Sequence, residues 1–322
     1  MICAPLKTVG VALVVTGLAC AIPAHSYPTQ SIRLMVPFAG GSPCDVVARV
    51  LAEGLRSSIG QTVVVENKPG AAGRLALTDL LTRPKDGHTL HLCSHIVPNN
   101  TVVLKNPGYK LEDLTAITLV AKSYYALTVS NAVAANSLQE FIRYAKSRAD
   151  PLNYGRVGPG GITELVVRQF EQLASFKAIG VTFKGTHEAI QEMAAERLDF
   201  VIGPYNLTIP LHEAKKVKVL AMTSPARLSA VPDIPTFVEQ QVPIVKFGWW
   251  GVCAAAGVPR SVIDQLNIHI TAAVGSSAYR TVMEQNGMTA ATYTPEEINR
   301  IMLDSAESTG KLMRELGIPQ ID

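Results

Sequence analysis

Twice in this chain a short apolar run ends in glycines and passes directly into a helix, and the second occurrence restarts the pattern of the first. Ile32-Arg33-Leu34-Met35-Val36 reads as a strand. A glycine-rich turn follows, then a helix beginning near Asp45 whose apolar Val46, Val47, Val50, Leu51 and Leu55 recur at helical spacing. Val63–Val65 and Thr89–Cys93 read as further strands, with Gly70-Ala71-Ala72-Gly73 between them opening another turn into a helix. The restart runs from a strand over Tyr124–Val129 to a helix capped by Ser137 with Glu140 three residues on. Asn153-Tyr154-Gly155 then leads to the second glycine turn, Gly158-Pro159-Gly160-Gly161, and a helix carrying Leu165, Val166, Phe170 and Leu173. Strand–helix alternation of this kind argues for a mostly parallel sheet flanked by helices, here in two α/β units.

Later strands are expected at Val181–Phe183, Asp199–Ile202 and Val217–Met222. The proline-rich stretch from Pro225 to Pro243 breaks regular structure. Phe247–Val252 returns to strand character. Pro259 and the cap Thr294-Pro295-Glu296-Glu297 then open two C-terminal helices, the last stopping at Gly317.

The N-terminus is of another kind. Lys7 precedes an apolar core from Val9 to about Ile22, and Ala24-His25-Ser26 offers a small-x-small cleavage site, so residues 1–26 read as a secretory signal peptide. Cys20 leaves lipidation open, although Gly17 stands where a branched aliphatic is usual. Loss of Lys7 takes Lys+Arg from 29 to 28 against 26 acidic residues, a net charge of +2 with scattered positives, which argues against a nucleic-acid partner. The mature chain keeps three of five cysteines, an odd number at wide spacing and so not a disulfide framework. Cys93 and Cys253 sit in strand-like runs and read as small buried hydrophobes, while a Cys44–Cys93 bridge stays open in an oxidising compartment.

A strand that ends in glycines before a helix offers unpaired N–H groups at the positive pole of the helix dipole, a site for an anion without a basic side chain. Each turn alone is equally an ordinary βα connection. Neither has the spacing of a dinucleotide fingerprint or the ending of a Walker loop, and no nucleophile elbow or His-Glu-x-x-His motif occurs. His91 and His95 are four apart but span a strand and its loop, so helical ligand spacing does not apply and no metal site is expected. Cys44 with His95 leaves a nucleophile–base reading open.

Ordered blocks then carry a resemblance. Val36-Pro37-Phe38-Ala39-Gly40-Gly41-Ser42-Pro43-Cys44-Asp45, Glu66-Asn67-Lys68-Pro69-Gly70, Asp86-Gly87-His88-Thr89-Leu90, Phe183-Lys184-Gly185 and Val231-Pro232-Asp233-Ile234-Pro235 run in family order over nearly all of residues 27–322. The chain resembles the Bug-type substrate-binding proteins of tripartite tricarboxylate transporters. That resemblance implies a two-lobed periplasmic-binding-protein (Venus flytrap) fold, with 27–127 plus 245–322 forming lobe 1 and 128–244 forming lobe 2. It implies a monomeric, non-catalytic receptor, without cofactor, that passes a small carboxylate to the transporter's membrane components. A sensing subunit for a signalling partner, or an exported enzyme, are the alternatives.

By motif match the resemblance assigns ligand binding to Phe38, Ala39, Gly40, Ser42, Cys44 and Asp45, with Ser94 and His95 at the next strand end. The second lobe contributes Gly158, Gly160, Gly161 and Thr163, then Tyr205 and Asn206. Asp45 reads as the cap of its helix. Cys44 and Gly161 stand where the family often has hydroxyl side chains, and Arg156 stands near a position that is often small. Arg156 either pairs with a second polar group on the ligand or lies solvated outside the loop. Trp249 and Trp250 could wall the cleft but read as core or hinge.

Overall fold

The structure, a computed structural model, describes residues 27–157, 161–315 and 317–321. The expected signal segment with Cys20, and Gly158 and Gly160 of the second turn, lie outside the described residues. The first unit runs β1 (Ile32–Val36), α1 (Pro43–Ile59), β2 (Val63–Asn67), α2 (Arg74–Thr82), β3 (Thr89–Ser94), α3 (Ile96–Val103). A long strand, β4 (Leu114–Ser130), leads into the second unit: α4 (Leu138–Ser147), β5 (Leu152–Arg156), α5 (Ile162–Ala174), β6 (Ala178–Thr182), α6 (Thr186–Ala194), β7 (Phe200–Pro204), α7 (Tyr205–Glu213), β8 (Val217–Met222). The chain returns as β9 (Phe247–Ala255), α8 (Arg260–Gly275), α9 (Ser277–Gln285), β10 (Thr289–Ala290) and α10 (Pro295–Glu315).

β4 joins the two halves. Its first part, up to Tyr124, pairs antiparallel with β9, and from Tyr125 onward it pairs with β7 and β8 instead. On one side the order is β2-β1-β3-β9-β4, with β1 parallel to both β2 and β3; on the other it is β4-β7-β5-β6, with β5 parallel to β6 and β7. The sequence reading found only the second part of β4. Nearly all its residues are buried, because helices cover both faces of the sheet, so it shows no clean alternation of apolar and polar residues.

Each half has a core on its sheet. Along β3, Leu90 and Leu92 face α1 and α8 with Leu34, Val47 and Leu266, while Cys93 faces the opposite layer with Met35, Trp249 and Ile298. The second half is filled by aromatic rings: Phe141 lies 5.2 Å from Phe200, and Phe170 lies 5.0 Å from Phe176. The expectation of free Cys93 and Cys253 is corrected. Both are fully buried, but they form a disulfide between the adjacent antiparallel strands β3 and β9, with Cα atoms 6.0 Å apart. The pairing is invisible in the sequence because it needs the return strand, 160 residues on, to settle beside β3. Among the described residues Cys44 is the cysteine left free.

Among the described residues no helix is long and apolar enough to cross a membrane.

Candidate functional site

The first glycine turn is built around one carboxylate. Asp45 was expected to cap α1; instead Ser42 is the cap, its Oγ accepting from the Asp45 N–H at 3.3 Å. Asp45 sits in the first helical turn and reaches back. Its Oδ2 accepts from the Gly41 N–H and from Arg49 Nε, both at 2.9 Å, and its Oδ1 accepts from Asn67 Nδ2 at 2.9 Å. Asn67 Nδ2 also donates to the Phe38 carbonyl at 3.0 Å, which ties β2 to the turn. The Arg49 guanidinium, with the Gly41 and Asn67 donors, holds the Asp45 carboxyl down at about 2 despite its burial. The side chain at 45 therefore fixes the loop's shape from behind.

Cys44 is equally enclosed. Its Sγ accepts from the Trp250 indole Nε1–H at 3.0 Å, and burial pushes the thiol up to about 12. A thiol held protonated is a poor nucleophile, and its partner is an indole rather than His95.

A cavity of about 630 Å³ opens between the two halves. The first residues of α1 and α3, Pro43 and Ile96, line it from one side. From the other come Ile162 and Thr163 of α5, Thr186 and His187 of α6, and Asn206 and Leu207 of α7, all within the first turns of their helices. Five positive helix ends thus meet one space, at the carboxyl ends of β1, β3, β5, β6 and β7. Among the described residues no lysine or arginine lines it. Arg156, at the end of β5, instead gives its guanidinium to Glu164, a buried residue of α5, and to Thr182 Oγ1 at 3.2 Å. Arg168 pairs with Glu171 at 2.7 Å. An anion in this cavity would meet N–H groups and helix poles in place of a cationic side chain.

The wall between the halves is β4 and β9. Ser123 and Tyr125 of β4 and Gly248 and Trp250 of β9 line the cavity. A Cβ at Gly248 would stand 2.8 Å from the Tyr125 hydroxyl and 3.3 Å from His95 Cε1, so glycine is what lets both rings approach. Burial pushes His95 down to about 4, which leaves it neutral near pH 7, able to donate or accept a hydrogen bond without charge. Nearby, Ala71 and Ala72 both adopt left-handed backbone, at φ 47° and 53°, and Asn100 Nδ2 donates to the Ala72 carbonyl at 3.1 Å. Strain of this kind persists where surrounding contacts over-determine it, and Ala72 is on the cavity wall.

A model of the tripartite tricarboxylate transporter family receptors matches residues 47–318. The chain belongs to this family. Protein BugT of Bordetella pertussis is 29% identical over 317 residues, covering 97% of each chain. Among solved structures, R. palustris Rpa4515 with adipate superposes with a TM-score of 0.78 at 26% identity, covering 90% of this chain and 98% of that one. The periplasmic binding protein BugD superposes with a TM-score of 0.74 at 28% identity, covering 91% and 99%. The fold is accordingly the two-lobed fold of these receptors, and the family is one of solute receptors.

For this receptor, the sequence-assigned residues divide. Phe38, His95, Gly161, Thr163 and Asn206 line the cavity. Ser42, Cys44 and Asp45 support it from behind, while Ala39 and Gly40 belong to the turn but not to the lining. Ser94 lies on a much smaller neighbouring hollow with Phe38 and Asn100. Tyr205 packs instead against Tyr124 and Met222 in a separate apolar cluster. Trp249 is core as expected, but Trp250, on the opposite face of β9, is a cavity wall. Sequence reasoning missed Asn99, Asn100 and Val103 of α3 and Thr186 and His187 of α6. The α3 residues were detectable: Ile96, Asn99, Asn100 and Val103 fall at i, i+3, i+4 and i+7, one continuous helix face.

Proposed function

We propose that this receptor is exported, captures a small carboxylate between its lobes and delivers it to the membrane components of a tripartite tricarboxylate transporter, without chemical turnover. The observation that carries the reading is the convergence of five helix N-termini on a cavity that no lysine or arginine lines among the described residues. Such a site favours an anion through N–H donors and helix poles, and the related Rpa4515 is described with adipate. The change of partners along β4 supports lobes of 27–127 plus 245–322 and 128–244. The leader over residues 1–26 supports a periplasmic location. The enclosed Cys44 thiol, bonded to Trp250, weighs against the nucleophile reading.

A thermal-shift screen of the mature protein against a carboxylate library tests the proposal, since a ligand that binds only the folded state raises the melting temperature. At least one carboxylate should stabilise and be recovered unchanged after prolonged incubation. Stabilisation by none of them, or conversion of the one that binds, would sink the reading.

A further inference from the structure

The shape and lining of the cavity say more about the ligand than that it is an anion. The α3 face that borders the cavity runs from Ile96 to Val103, a length of about 10 Å along the helix axis. Its two ends differ. At the Ile96 end lie Phe38 and His95, beside the glycine turn of lobe 1. At the Val103 end lie Leu104 and Ile321, brought together because the C-terminal segment pairs with the chain there: the Ile321 N–H donates to the Val103 carbonyl at 2.9 Å and the Lys105 N–H donates to the Ile321 carbonyl at 3.0 Å.

That far end is poor for a second negative charge. It is lined by three aliphatic side chains, it adjoins the C-terminal, negative pole of α3, and α5 meets it through the apolar side chain of Leu165. Lys105 follows directly but is exposed and outside the lining. In the middle, Asn99 has its Oδ1 occupied by Ser305 Oγ and Thr309 Oγ1, both at 3.0 Å, so the amide is fixed by α10 and is uncharged. Across the cleft, Arg156 at the end of β5 and Arg168 of α5 are held by Glu164 and Glu171. A dicarboxylate laid along α3 would have to leave one charge against aliphatic carbon and a negative helix pole, at a substantial desolvation cost.

We infer that the ligand is a monocarboxylate whose other end is an apolar chain or ring, with the carboxylate at the N-termini of α1 and α3 and the apolar body along α3 toward Val103, Leu104 and Ile321. The inference rests on the carboxylate-receptor reading and narrows it to ligands unlike the adipate of Rpa4515.

The test uses matched probes on the mature protein, by calorimetric titration: octanoate against suberate and 4-methylbenzoate against terephthalate, with octanamide and 4-methylbenzamide as neutral partners. In at least one pair the monoacid should bind about tenfold or more tightly than the diacid, by differential burial of a charge, and the amide should bind at least as weakly as the diacid. A cation at the far end should reverse the order: Ile321→Lys keeps the backbone pairing and should raise diacid affinity several-fold relative to the monoacid. Diacids that bind the parent protein as tightly as their monoacids overturn the inference while leaving the receptor reading intact. Amides that bind as well as the acids overturn the carboxylate reading itself. Binding of none of the six probes overturns the inference, and a hit elsewhere in the carboxylate library then decides whether the receptor reading survives.

Discussion

Asp45 illustrates how a residue can matter to a site it does not touch. Its carboxylate collects donors from the turn, from α1 and from β2, and so determines where the N–H groups of the loop can point. Replacing it, as in Asp45→Asn, should lower stability by about 1–3 kcal/mol at pH 7, the usual cost of disrupting buried charge-assisted hydrogen bonds. The sign with pH follows from its lowered pKa. The stabilisation is complete above about pH 4 and is lost as pH falls toward 2, so the gap between parent and variant should close over that window in denaturant melts. A gap that stays constant from neutral pH down to about pH 2 would remove the carboxylate from the account. Arg156 offers the opposite case. Because its guanidinium is engaged by buried Glu164, Arg156→Ala should destabilise the fold by about 3 kcal/mol while ligand affinity changes less than about twofold. A large loss of affinity with little loss of stability would return Arg156 to the ligand. Sequence patterns marked out the turn residues as a group, but not which of them face inward; that depends on the hydrogen bonds of Asp45 and on Trp250 arriving from far along the chain.

At the scale of elements, the legible parts were those written locally. The glycine turns, the caps at Ser137 and Thr294 and the amphipathic stripe of α1 all rest on neighbours a few residues apart. The parts that were not legible depend on distant partners: the first half of β4, the Cys93–Cys253 disulfide and the C-terminal segment beside α3. That segment has a mechanical consequence. A small apolar cluster joins Val103 of α3 and Met313 of α10 to Leu165 of α5, with Ile318 and Ile321 packed on it. It therefore bridges from the first half to the second at the side of the cavity. Leu165→Asp would put a charge into this contact and weaken closure, so ligand dissociation should accelerate by about tenfold or more, equivalent to about 1.4 kcal/mol, with the association rate little changed. Unchanged dissociation in a stopped-flow displacement experiment would show that the cluster does not hold the lobes together.

Over the whole molecule, two α/β halves share one long strand and turn their strand ends and helix N-termini toward a single space. The arrangement suits capture of an anion between parts that close on it, with burial supplied by both halves. It provides no activated nucleophile at Cys44 and no charged imidazole at His95 near neutral pH. The most direct test is the melting temperature of the protein over residues 27–322 with carboxylates and with their neutral amides at matched concentration. The account predicts that at least one carboxylate raises the melting temperature in a concentration-dependent way, that its amide does not, and that the acid is recovered intact. A melting temperature that no carboxylate moves, or that acid and amide move equally, would contradict it.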